Sequence, residues 1–472
     1  ATAGHLLGEY AETSAEDLAN DPFYQLGDRI GRSGLEKVYE LELRGIKGRE
    51  SVMVDARNQV RDTSATSSDD RPAEAGQNLT LTLDLKLQRF AESLMEGKKG
   101  SVVAIEPQSG EVLALVSAPA FDPGKLVGPE RGEYSRELAS NPDKPLFNRA
   151  IKATYRPGSI WKMLQGLIAL DEGKLRPGSR FLCDRDLVGC HGPHTQDNLR
   201  EAIVHSCNPY FFRVMQRVVK AGNGNGRFEK AANGLDHWRE RVMDFGFGSA
   251  LGARLPGTSS GNVPGSEYYD KVYGSRRWDF GTIYSISIGE GELLTTPLQM
   301  ANLAATLANR GWYRLPHFVR SLGENGKPSG LGARRETGVD SKHFEPVVKA
   351  MKDVIELPSG TGRRARIQGT TVCGKTGTVQ DEPRKDHSVF IAFAPMHQPQ
   401  IALSVYVENS GSGGEWAAPI AALLIEQYLT GEITEVSRLN RILEADLSDP
   451  FPDPEPEPAD LPLVSGFGEN AH

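Results

Sequence analysis

Strand-like segments lie in two groups far apart in this 472-residue chain, and that separation constrains the fold more than any other feature. Ser101–Glu106 and Glu111–Ser117 are joined by Pro107-Gln108-Ser109-Gly110, a composition that predicts an antiparallel hairpin. The second group, Thr370–Gln380, Ser388–Ala394 and Ile401–Glu408, comes only after a long region, residues 122–369, that is mainly helical and rich in loops. Before the first group, Asn78–Asp84 alternates as a strand and Leu85–Met95 has helical apolar spacing. After the second, the same spacing runs from Glu415 to Leu429 and stops before Gly431. Strands at both ends with helices between predict an α+β domain whose central sheet closes by non-local pairing.

The domain has different neighbours on each side. Residues 1–77 are polar, punctuated by Gly27, Gly31, Gly34, Gly45 and Gly48, and end in the Ser/Thr/Asp-rich stretch Thr63–Arg71, which reads as a small domain with a linker. The compact domain then covers 78–432. Residues 433–472 form a tail whose Asp449-Pro450-Phe451-Pro452-Asp453-Pro454 run is expected to be extended, solvated and disordered. A start at Ala1, without methionine or a charged leader, points to a fragment or processed form. Apolar runs such as Ala417–Ile425 fall short of the roughly 18 residues of a membrane helix. A net charge of -8 with scattered basic residues argues against nucleic-acid binding.

Three short patterns carry chemistry. In Tyr155-Arg156-Pro157-Gly158-Ser159-Ile160-Trp161-Lys162, Pro-Gly breaks the chain and Ser159 is placed at a helix start. Lys162 lies one turn on, on the same face. A serine is a poor nucleophile until a base takes its proton, and a lysine kept neutral by burial can do so. His205-Ser206-Cys207-Asn208-Pro209 is a turn that sets a hydroxyl beside a carboxamide. Gly374-Lys375-Thr376-Gly377-Thr378 is a strand whose glycines admit a substrate backbone, with Lys375 and two hydroxyls suited to a carboxylate.

Each pattern alone is common; their order and placement on helix start, turn and strand are not. The set resembles the penicillin-recognising serine enzymes. Gly31-x-x-Gly34-Leu35-Glu36, Leu43-Arg44-Gly45, Pro145-Leu146-x-Asn148-Arg149, Thr296-Pro297-Leu298-Gln299 and Asp386-His387-Ser388 are similar to class B penicillin-binding proteins. Ser259–Pro264, Trp278 and Gly289–Gly291 are most similar to the elongation-type enzymes of rod-shaped bacteria, with coverage of about residues 4–432. The resemblance implies a transpeptidase domain, an antiparallel sheet flanked by helices, on a truncated non-catalytic pedestal (residues 1–77). It implies Ser159, Lys162 and Ser206 as catalytic residues, and Asn208, Lys375, Thr376, Gly377 and Thr378 as substrate-binding ones. The backbone N–H groups of Ser159 and Thr378 would form the oxyanion hole. The expected substrates are peptidoglycan stem peptides, with β-lactams as mimics, and no cofactor is required for catalysis. Expected partners are a glycan polymerase and rod-complex scaffold proteins, met through the pedestal at the periplasmic face of the inner membrane, with the anchor outside this chain. A β-lactamase, or a β-lactam sensor that does not cross-link, would share the three patterns.

Cys183, Cys190, His191, His194 and Cys207 gather within a short stretch. Thiolates with imidazole suit tetrahedral zinc, and Cys183, Cys190, His194 and Cys207 form the candidate ligand set. A Cys183–Cys190 disulfide in an oxidising compartment, or inert thiols, fit the same residues. Cys373, inside a strand, is expected to be a core residue.

Overall fold

The computed structural model describes residues 2–57, 59–62, 70–252, 254–323, 327–328 and 330–448. The two groups of strand-like segments pair. β1 (Gly100–Ile105), β2 (Val112–Ala118), β3 (Cys373–Val379), β4 (His387–Ala394) and β5 (Ile401–Val407) form one sheet in the order β3-β4-β5-β1-β2. All neighbours run antiparallel. The non-local joint is β5 on β1, where Leu403 lies opposite Ala104 and Val405 opposite Val102.

Helices α1 (Leu85–Leu94), α2 (Lys162–Asp171), α3 (Leu199–Val204), α4 (Asn208–Val219), α5 (Pro297–Ala308), α6 (Phe344–Glu356) and α7 (Ala417–Thr430) pack around this sheet. Successive strand residues point to opposite faces, and both faces are covered. Val103, Ile105, Val389, Ile391 and Tyr406 join a core with α2, α4, α5 and α6. Val102, Ala104, Phe390, Ala392, Leu403 and Val405 join a second core with α1 and α7. Burial on both faces is why these strands read as apolar runs rather than as alternations.

Local signals set the helix ends. Reciprocal bonds between Thr296 and Gln299 cap α5, with Pro297 in its first turn, and Asn198 with Glu201 does the same for α3. Gly431, at φ 76°, ends α7. The strand expected over 78–84 is reduced to Leu79–Leu81, paired with Val319–Leu322. The remainder is engaged elsewhere: Asp84 accepts from Leu87 N to cap α1, and the Thr82 hydroxyl donates to Val112 O of β2.

The N-terminal segment contains short elements only, among them Tyr10–Glu12 paired with Arg29–Gly31 and the helix Gly34–Val38. It contacts the large domain where Ala3 N donates to Glu92 (2.6 Å), the His5 ring meets Pro145 O (2.6 Å) and Asn148 Nδ2 donates to His5 O (3.3 Å). Most of the Thr63–Arg71 linker, and the chain beyond Ser448, lie outside the described residues. The first part of the tail expected to be disordered, 433–472, is instead ordered: Val436–Leu443 is a helix whose Ile442 is buried in the second core, with Leu439 packed against it. Among the described residues no helix is long and apolar enough to cross a membrane.

Candidate active site

Ser159 sits in a short 3-10 turn, Gly158–Trp161, that runs directly into α2, so the expected helix start is realised in a tighter form. Glycine is required on either side of this turn. Gly158 has φ 58°, and a Cβ there would come within 3.0 Å of Thr378 O on β3. Gly158 N donates to Gly289 O (2.9 Å), and a Cβ on Gly289, at φ 82°, would lie 2.1 Å from Gly158 O. Arg156 pairs with Glu290 at 3.2 Å across the same contact. The Ser159 loop is thereby wedged between β3 and the 289–291 turn. A cleft of about 740 Å³ opens there, lined by Ser159, Ser206, Asn208, Thr376, Thr378 and Glu290.

Two fully buried lysines lie under the cleft and meet at one hydroxyl. Lys162 Nζ donates to Ser206 O (2.7 Å) and Asn208 Oδ1 (2.5 Å) and lies 3.2 Å from Ser206 Oγ. Lys375 Nζ donates to the same Oγ at 2.9 Å and to Thr376 O at 2.8 Å. Burial holds Lys162 down at about 8. Burial and the neighbouring Lys162 charge hold Lys375 well below the usual lysine range. A neutral Lys162 has two N–H groups and one lone pair: the two carbonyl oxygens take the first, and the Ser206 proton faces the second. Ser206 can then accept from Lys375 and donate to Lys162, which is a proton relay. Ser206 has φ 59°, a left-handed conformation that costs a residue with a Cβ roughly 1 kcal/mol or more. Among the described residues Ser159 Oγ makes no hydrogen bond, so Lys162 is engaged with the Ser206 turn rather than with the serine one turn before it.

The eight residues singled out for catalysis and substrate binding thus converge. Thr376 and Thr378 face the cleft, and Gly377 brings β3 against the nucleophile loop, since a Cβ there would lie 3.0 Å from Pro157 O. Chemical reasoning from the sequence left out Thr361, Glu290, Gln380 and Asp386, which also line the cleft. A threonine between two glycines directly after a helix, Gly360-Thr361-Gly362, was the available signal for the first. The acids lay inside stretches noted only for resemblance.

The cysteine cluster also forms. Ligand atoms of Cys183, Cys190, His194 and Cys207 all lie within 4.8 Å of one another, with Cys190 Sγ 3.5 Å from His194 Nε2. All four cysteines of the chain are free thiols, so Cys183 and Cys190 are not bridged, and Cys373 is buried in the core. Interaction with Cys207 draws the Cys190 thiol below the usual thiol range, while the same interaction and burial push Cys207 up. His191 lines the cleft instead. A second group adjoins the first: buried Asp197 accepts from His205 (3.0 Å) with one oxygen, and its other oxygen, 3.6 Å from His194 Nε2, has no hydrogen-bond partner among the described residues. The cluster abuts the Ser206–Asn208 turn, because Asn208 N donates to Cys190 Sγ (3.4 Å) and Asn208 Nδ2 to Gly189 O (2.7 Å).

Residues 100–426 match the penicillin-binding protein transpeptidase domain family, and residues 1–81 the penicillin-binding protein dimerisation domain family. A curated relative, peptidoglycan D,D-transpeptidase MrdA of Acinetobacter baumannii, is 32% identical over 90% of this chain. The chain spans 64% of that relative's length. Among solved structures, Pseudomonas aeruginosa PBP2 in complex with WCK 5153 is similar at TM-score 0.75 and 29% identity, covering 90% of this chain and 88% of that one. PBP2 of Helicobacter pylori in complex with MreC is similar at TM-score 0.75 and 26% identity, covering 91% and 78%.

Proposed function

The chain belongs to the penicillin-binding protein transpeptidase family, and on that premise we propose that it is a peptidoglycan D,D-transpeptidase of the elongation type, acting through a serine acyl-enzyme. The observation that carries this reading is the single hydroxyl of Ser206, bonded by both Lys162 and Lys375 at the edge of the cleft that holds Ser159.

Ser159 Oγ attacks the penultimate D-alanine carbonyl of a stem peptide while the neutral Lys162 amine takes its proton. The negative charge that develops on the carbonyl oxygen is met by the backbone N–H groups of Ser159 and Thr378; losing one such donor costs about 3 kcal/mol. Ser206 passes the proton from Lys162 to the departing amine, the C–N bond breaks, and D-alanine leaves. An amine from a neighbouring stem then attacks the ester: a new C–N bond forms, the C–O bond to Ser159 breaks, and the serine oxygen regains a proton. Lys375, Thr376 and Thr378 hold the terminal carboxylate, Asn208 holds a peptide group, and Gly377 leaves room for the substrate backbone along β3. β-Lactams enter as mimics of the D-Ala-D-Ala end.

Residues 78–432 are the catalytic domain and 1–77 a pedestal with linker. The pedestal meets a glycan polymerase and rod-complex scaffold proteins at the periplasmic face of the inner membrane; the similar Helicobacter pylori protein forms a complex with MreC. Cys183, Cys190, His194 and Cys207 hold a zinc ion: soft donors converge there, and one thiol is already inclined to ionise. Zinc in this place supplies structural bracing of the Ser206 turn, and catalysis itself needs no cofactor. Elemental analysis of purified protein should find near-stoichiometric zinc; its absence would remove the site.

Labelling by a fluorescent penicillin tests the main reading. The protein should become covalently labelled and Ser159→Ala should not; a labelled Ser159→Ala protein refutes the nucleophile.

A further inference from the structure

The two N–H groups assigned to the oxyanion come from segments far apart in the chain, Ser159 before α2 and Thr378 in β3, so their separation depends on what fastens those segments together. Glycines let them approach: a Cβ on Gly158 would lie 3.0 Å from Thr378 O, and one on Gly377 3.0 Å from Pro157 O. The fastening comes from a third segment, residues 285–295. Tyr155 N donates to Thr295 O and Thr295 N to Tyr155 O, both at 2.8 Å, and Gly158 N donates to Gly289 O at 2.9 Å. Between these two attachments the Arg156 side chain reaches Glu290, with Nη1 3.2 Å from Oε2.

Glu290 is held firmly enough to act as an anchor. Its backbone N donates to Ser285 O (3.1 Å), and a Cβ on Gly291, at φ 71°, would lie 2.3 Å from Ser285 Oγ, so the turn is closed on itself. The Glu290 side chain is 15% exposed and that of Arg156 41%. Burial pushes the Glu290 carboxyl up and Arg156 opposes the shift, so the ionised form depends on the guanidinium staying in place. The Gln380 backbone N–H adds a smaller attraction to the same carboxylate. One carboxylate thus faces Arg156, three positions before Ser159, and Gln380, two positions after Thr378.

We infer that Glu290 is a positioning residue for acylation: through Arg156, its carboxylate holds the Ser159 loop at the separation from β3 that the two oxyanion-binding N–H groups require. The inference rests on the transpeptidase reading of the cleft. Removing the carboxylate has two effects on rate, and they oppose each other. The Glu290 charge favours the protonated form of Lys162, so its loss makes the neutral amine more abundant and speeds acylation below the Lys162 midpoint. Loosening of the loop slows acylation at every pH. Above about pH 9, where Lys162 is neutral with or without Glu290, only the second effect remains.

The test is stopped-flow acylation of the full chain by a penicillin at that pH, which yields a limiting rate constant and a half-saturating concentration. In Glu290→Gln, which keeps the size and loses the charge, the limiting rate constant should fall about tenfold or more, with the half-saturating concentration within about threefold of the parent. Arg156→Gln should do the same. Because both residues act through one contact, the double variant should be within about threefold of the slower single one. A first-order limiting rate constant does not depend on how much of the protein is folded. A Glu290→Gln protein with the parent's limiting rate constant overturns the assignment. So does a change confined to the half-saturating concentration, or losses that multiply in the double variant. If Glu290→Gln does not fold, Arg156→Gln, at the more exposed partner, decides by the same criteria. Failure of the parent protein to be acylated overturns instead the reading of Ser159.

Discussion

The proposed activation of Ser159 by burial of Lys162 predicts a particular pH dependence for acylation. The reactive species is the neutral amine, so the rate rises with pH as Lys162 loses its proton. With Lys162 held down at about 8 by burial, roughly 1% of the amine is neutral at pH 6 and half at pH 8. The acylation rate constant should therefore climb about fiftyfold between those values and level off above pH 9. An ordinary lysine, ionising at 10.5, would give a rate still climbing tenfold per unit through that range. Because Lys162 and Lys375 share the Ser206 hydroxyl, the midpoint belongs to the coupled pair rather than to one amine. Stopped-flow acylation by a penicillin from pH 5.5 to pH 9.5, at constant ionic strength, measures the curve. A flat profile, or a rise with its midpoint near 10, would refute the idea that burial supplies the base.

Other consequences follow from individual contacts. Glu408 accepts from Tyr155 (2.6 Å) and from Arg149 (2.9 Å), whose side chain is 7% exposed, so Glu408→Ala leaves a largely buried guanidinium and should cost about 3 kcal/mol in denaturant unfolding. A midpoint unchanged from the parent would show that the pair contributes nothing. Gly289→Ala puts a Cβ into Gly158 O at a positive φ, and should lower stability by about 2–4 kcal/mol while slowing acylation through displacement of the nucleophile loop. An alanine variant that melts and acylates like the parent would mean that the loop gives way at no cost. Asn198→Ala removes the reciprocal cap of α3 and should cost about 1 kcal/mol by the same unfolding measurement. No loss there would mean that tertiary packing alone holds that turn.

Much of the site was legible because each catalytic pattern is short in sequence and imposes its own local geometry. Pro157-Gly158 dictates the break before Ser159, Pro209 the first turn of α4, and the glycines of β3 the close approach of a backbone. Thr361 was not legible in the same way. Its place in the cleft comes with its contact to Thr376, fifteen positions later, and no periodicity or spacing connects them. The four metal-ligand candidates were legible as residue types but not as a site, since whether thiols bridge, bind or stay apart depends on where their sulfurs are placed.

The amino-acid order by itself determined the two strand groups, the helical region between them and the local chemistry of Ser159, Ser206 and Lys375, because periodicity and turn residues act over a few neighbouring positions. Only the tertiary structure decided that β5 pairs with β1, that Lys162 and Lys375 meet on one hydroxyl, and that burial holds Lys162 below the usual lysine range. A lysine in water and a lysine sealed beneath a sheet are the same residue in sequence. What separates them is the loss of solvent around the charge, and that loss is produced by segments far along the chain.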